Sequence, residues 1–98
     1  MCQRILRQEV IMEVPEELMA KYIKNRKQDF DGCLIFYNQH EFKKIEKIGH
    51  QLKGNGSTFG HPELSTIGKK LEEAAKVQDT DSLNSALKDF RHWIKKVS

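Results

Sequence analysis

The sequence predicts an all-α protein, an antiparallel up-down-up-down four-helix bundle led by a short N-terminal extended arm or helix. Three observations point there. Apolar side chains recur at helical spacing in four successive stretches between residues 14 and 97. Short connections carrying helix start signals separate these stretches, and short connections make consecutive helices antiparallel neighbours. The chain has 98 residues, 38% hydrophobic and 32% charged, which suits one domain with a modest core beneath a wet exterior.

Residues 1–13 lack helical periodicity. The run from Glu9 to Val14 alternates weakly and is β-branched, so this segment is expected as an arm along a bundle formed by residues 14–98. Pro15 suits a first helical position, and Glu16 and Glu17 suit the positive end of the helix dipole. Leu18, Tyr22, Ile23, Phe30, Cys33, Leu34 and Tyr37 then follow at helical spacing. This span is either one helix or a short helix and a longer one, with the break near Asn25 or Asp31-Gly32. Asn38 reads as the next N-cap, with Glu41 returning the bond three residues later. Phe42, Ile45, Ile48, Leu52 and Phe59 mark the buried stripe of that helix, and Gly60 suits a left-handed cap. His61-Pro62-Glu63 opens a third helix, with Leu64, Ile67, Leu71, Ala74 and Ala75 on one face. Asp79, Thr80 or Asp81 can cap the last, which carries Leu83, Ala86, Leu87, Phe90, Ile94 and Val97. Lys95 and Lys96 complement its C-terminal end.

Composition excludes several classes. The net charge is +3, with 17 Lys and Arg against 14 Asp and Glu, interspersed rather than gathered in the one-signed stripe of a nucleic-acid binder. Cys2 and Cys33 form no CxxC pair, which argues against a disulfide framework or zinc site. The N-terminus has no long apolar run and no stretch is long enough to span a bilayer, so a reduced, cytoplasmic protein is expected. His40, His61 and His92 read as polar surface or turn residues. Phe90 and Trp93 read as core or boundary residues. Ser57 and Thr58 lack a base partner for nucleophilic work.

The string from Gly49 to Gly60, GHQLKGNGSTFG, stands apart. Gly49, Gly54 and Gly56 each cost about 1 kcal/mol against alanine in a helix interior. A segment that breaks a rule its apolar pattern obeys points to a functional demand, and the demand expected here is access to His50. At about 100° per residue, Ile45, Ile48, Leu52 and Phe59 fall within roughly 60° of one another, and His50 lies roughly 170° from their mean. Lys43, Lys47, Gly54 and Ser57 share its side, with Glu46 and Lys53 at the flanks. Helical side chains lean toward the N-terminus, so a side chain at position 54 would cover the imidazole, and Gly54 leaves it open. Lys53 can bring its ammonium near a group attached to His50. A neutral imidazole has one free nitrogen able to attack phosphorus near neutral pH, and Lys53 would steady the resulting phosphate. Glu46, one turn before, is expected to orient the ring through its other nitrogen.

These residues carry a resemblance. His50-Gln51-Leu52-Lys53-Gly54 followed by Gly60 resembles the HxLKG…G signature of histidine-containing phosphotransfer (HPt) domains. Pro62-Glu63-Leu64 and Leu71-Glu72 are similar to that family's next helix. The likeness runs from about Val14 to the C-terminus. It implies a four-helix bundle that carries phosphoryl groups between aspartates of response-regulator receiver domains, within two-component phosphorelays that begin at a sensor or hybrid histidine kinase. It implies His50 as phosphoacceptor, Lys53 as phosphate-stabilising cation and Gly54 as the position open to the receiver. It implies no cofactor of the protein's own, magnesium belonging to the receiver. Lys43, Glu46, Lys47 and Ser57 are candidate docking or orienting residues, the lysines by steering an acidic receiver pocket. The chain shows no ATP-binding segment, so a phosphoryl carrier without kinase activity is expected, freestanding and monomeric, binding neither nucleic acid nor membrane. Three rivals remain: a helical adaptor that binds receiver or kinase domains without being phosphorylated, a small basic nucleic-acid binder, and a metalloenzyme, which lacks ligand spacing.

Overall fold

The structure, a computed structural model, describes residues 14–98. The expected arm over residues 1–13, and Cys2 within it, lie outside the described residues. Four helices follow in order: α1 (Glu16–Asn38), α2 (Phe42–Asn55), α3 (Pro62–Lys76) and α4 (Thr80–Val97), with a single 3₁₀ turn (Ser57–Phe59) between α2 and α3. Among the described residues there is no strand, and no helix is long and apolar enough to cross a membrane. Each helix packs against its chain neighbours and α4 returns to α1, which closes the four-helix bundle expected from the short connections.

α1 is one unbroken helix of 23 residues. Gly32, a candidate break, stays helical. Pro15 stands just outside the helix in extended conformation (φ −53°, ψ 143°), and its carbonyl accepts from the Met19 amide at 2.9 Å. The expected capping box at Asn38 and Glu41 does not form. Asn38 is the last residue of α1, and Glu41 precedes α2 with no side-chain cap. The reason is the way α1 ends. His40 adopts φ 58°, its amide donates to the Tyr37 carbonyl at 3.2 Å and the Glu41 amide donates to the Phe36 carbonyl at 2.8 Å. This paired closure is a Schellman ending, with histidine where glycine is usual. It keeps Asn38 inside α1 and leaves the Glu41 carboxylate to pair with Lys44 at 3.3 Å.

The starts of α3 and α4 follow their signals. His61 and Pro62 open α3. Asp79 caps α4, its carboxylate accepting from the Ser82 amide at 3.1 Å and the Ser82 hydroxyl at 2.7 Å. Those bonds hold the Asp79 carboxyl below the usual carboxylate range. α2 stops at Asn55, short of Phe59. Phe59 sits in the 3₁₀ turn, half-buried, its ring stacked on Tyr22 with centroids 4.0 Å apart.

Ile45, Leu52, Leu64, Leu71, Leu83 and Phe90 are fully enclosed. Side chains of this size contribute about 1.5–3 kcal/mol each on burial. Trp93 closes the core near the α2–α3 loop, its indole N–H donating to Nδ1 of His61 at 3.4 Å. α1 adds Tyr22, Phe30 and Cys33. Burial, and then the nearby Asp29, push the Cys33 thiol up to about 12.

Candidate functional site

α2 is the most tightly held helix on one flank, and glycine is the cause. A Cβ on Gly49 would stand 2.6 Å from the Glu72 amide nitrogen and 2.7 Å from the Gly68 carbonyl. A Cβ on Gly68 would collide with the Lys53 amide nitrogen and stand 2.7 Å from the Gly49 carbonyl. The backbones of α2 and α3 therefore meet directly at these two residues. Gly56 is also filled space: a Cβ there would lie 2.5 Å from the Ser65 amide. Of Gly49, Gly54 and Gly56, only Gly54 has open space, with nothing within 4 Å of where a Cβ would stand. No packing constraint thus holds Gly54, whereas Gly49 and Gly56 serve close packing.

His50 lies on the exposed side of α2, with 69% of its side chain accessible. Its Nδ1 is 2.8 Å from Oε2 of Glu72 on α3. Lys53, one turn further along α2, brings its ammonium to 2.7 Å from the other oxygen, Oε1. Glu72 thus bridges two residues of α2 with one carboxylate. Its contacts to Lys53 first and His50 second hold that carboxyl below the usual range, so it is ionised at neutral pH and can only accept hydrogen bonds. The proton in the short contact therefore belongs to Nδ1. That assignment leaves Nε2 of the neutral ring with its lone pair free.

The expectation that Glu46 orients the ring is corrected here: Nδ1 turns toward α3, where Glu72 holds it. Glu46 is half-buried and drawn into a cleft of about 380 Å³ at the far end of α2, with His40, Lys43 and Lys76 among its walls. Lys43 and Lys47 are exposed on the side of α2 that carries His50. Ser57 leaves the helix for the 3₁₀ turn and is tied to α3. Its amide and hydroxyl both donate to the Ser65 hydroxyl, at 2.8 and 3.2 Å. His61 is occupied by Trp93 and forms no site with His50.

Glu72 is the residue that sequence reasoning missed. It stands in the sequence only as half of the Leu71-Glu72 pair, and its partner lies 22 residues away on another helix. Its signal lay in register: a glutamate one turn after Gly68, on the helix that packs against α2.

A four-helix bundle presenting an exposed, tautomerically fixed histidine beside a lysine is the architecture of a phosphotransfer module. The family profile described as Hpt domain matches residues 6–98, and the chain belongs to that family, the phosphotransfer modules of two-component systems. No curated protein and no solved structure matches it.

Proposed function

We infer that this protein is a phosphorelay carrier: His50 accepts a phosphoryl group from a receiver-domain aspartate and yields it to another receiver. The observation that carries this reading is the Nδ1–Glu72 contact at 2.8 Å on an exposed imidazole, because it leaves Nε2 as the available nucleophile. The Nε2 lone pair attacks phosphorus in line. The bond from phosphorus to the aspartyl oxygen breaks, and the carboxylate departs with that electron pair. The ring, now bonded to phosphorus at Nε2 and still protonated at Nδ1, carries a positive charge that the Glu72 carboxylate offsets. Onward transfer is the same step reversed, with a second receiver carboxylate as acceptor. Such chemistry depends mainly on positioning and electrostatics.

Lys53 is held by Glu72 in the unphosphorylated protein, within reach of a phosphoryl group one turn away. Gly54 leaves room for the receiver's loops. Lys43 and Lys47 supply positive charge on the same side, suited to steering an acidic pocket. The chain's residues need no cofactor for this step; magnesium is expected with the receiver. Receiver domains and a sensor or hybrid histidine kinase are the partners this reading names, with the carrier working as a monomer in the cytoplasm.

The test is incubation with a radiolabelled phospho-receiver. The expected result is an acid-labile, alkali-stable label, absent from His50→Gln. Equal labelling of His50→Gln would remove the reading. A parent that never takes label, with His50→Gln binding receivers as tightly as the parent, would be the adaptor instead.

A further inference from the structure

We propose that the backbone contact between Gly49 and Gly68 sets the α2–α3 separation to the reach of one glutamate, making both glycines positioning residues for His50. The proposal rests on the phosphoacceptor reading for its functional meaning, while its geometry stands alone. Glu72 lies one turn after Gly68, and His50 and Lys53 lie one and four residues after Gly49. The contact point is therefore directly beneath the bridge. Glu72 reaches from α3 to two groups on α2 at 2.8 and 2.7 Å, and both bonds must be met from a single Cα position.

The atoms that crowd a new Cβ at Gly68 are the Lys53 amide nitrogen, the Gly49 carbonyl and Leu52 Cβ, two of them backbone and the third bonded directly to it. Backbone cannot rotate aside as a side-chain tip can, so relief comes from moving one helix off the other. Non-bonded carbon sits comfortably at about 3.5–4.0 Å from its neighbours, which implies a displacement of roughly 1 Å. Hydrogen bonds of this kind span about 2.7–3.2 Å between heavy atoms and no longer count as bonds at about 3.6 Å. A shift of that size takes the Glu72 carboxylate away from Nδ1 and from the Lys53 ammonium together. The imidazole is then free to exchange tautomers, and the fraction presenting a nucleophilic Nε2 falls.

The experiment uses the unphosphorylated full chain, with nitrogen-15 NMR of the His50 ring and carbon-13 NMR of the Glu72 carboxyl through an acid titration. In the parent, Nδ1 carries a resolved proton, and the Glu72 carboxyl titrates below the ordinary carboxylate range. In Gly68→Ala the expected result is a folded spectrum with the Nδ1 proton signal lost and Glu72 titrating in the ordinary range. Acceptance of phosphoryl from a receiver falls by up to about a hundredfold, the scale of a 1 Å misplacement. Glu72→Asp keeps both glycines and shortens the arm by one methylene. It is expected to lose both contacts in the same way, and it gives the answer should Gly68→Ala fail to fold. Parent-like ring and carboxyl signals in folded Gly68→Ala, or in Glu72→Asp, would overturn the proposal. These readouts need no phosphodonor, so a parent that never takes label would defeat the carrier reading while leaving this geometry test intact.

Discussion

Gly54 and Glu72 stand beside the same imidazole, one with no side chain and the other reaching over from α3. Gly54 is exposed with nothing near the place a Cβ would take, so no packing reason holds glycine there. Gly54→Leu is expected to stabilise α2 modestly, by up to about 1 kcal/mol from helix propensity. It is also expected to slow transfer from a phospho-receiver several-fold, the leucine leaning toward His50. Labelling by a small donor such as phosphoramidate should hold at the parent rate, because a small donor needs no docking surface. A receiver rate equal to the parent's would show that the open position has nothing to do with docking. Glu72 could not be read from spacing along the chain, because a bridge between helices leaves no periodic mark. The direction in which His50 faces could be read, because the apolar stripe of Ile45, Ile48 and Leu52 fixes the opposite side of α2.

The helices differ in how legibly they begin and end. Pro62 and Asp79 are start signals whose chemistry is local, a missing amide at a first helical position and a carboxylate over a free N–H. Both boundaries are legible for that reason. The left-handed endings at His40 and Gln78 are not, since their positive φ values (58° and 57°) fall on residues that ordinarily avoid that region. The end of α1 is hidden on that account, and Asn38 carries a start signal that the fold does not use. α1 docks through three enclosed side chains, Tyr22, Phe30 and Cys33, and Cys33 reports on that docking. Its thiol is fully enclosed and pushed up to about 12, so the reactive thiolate is scarce at neutral pH. In a Cys2→Ser background, Cys33 is expected to resist a disulfide exchange reagent in buffer and to react promptly in denaturant. Prompt reaction in buffer would mean that α1 lifts from the bundle readily.

At the level of the bundle, four amphipathic stripes and short connections are enough to foresee the architecture, because those features are written in sequence period. The closeness of α2 to α3 is not foreseeable in the same way. Gly68 inside a helical pattern costs propensity and carries no period. Only the pairing with Gly49 across the interface gives it meaning. The bundle then does two jobs with one contact: it buries Leu52 and Leu71, and it delivers a carboxylate from α3 to a histidine and a lysine on α2. Phosphorus-31 and nitrogen-15 NMR of the phosphorylated chain tests that union. The expected result is one phosphoryl group, coupled to Nε2 of His50, with the Nδ1 proton still present. A phosphoryl group on Nδ1, or on a residue other than His50, would show that Glu72 does not choose the nucleophile.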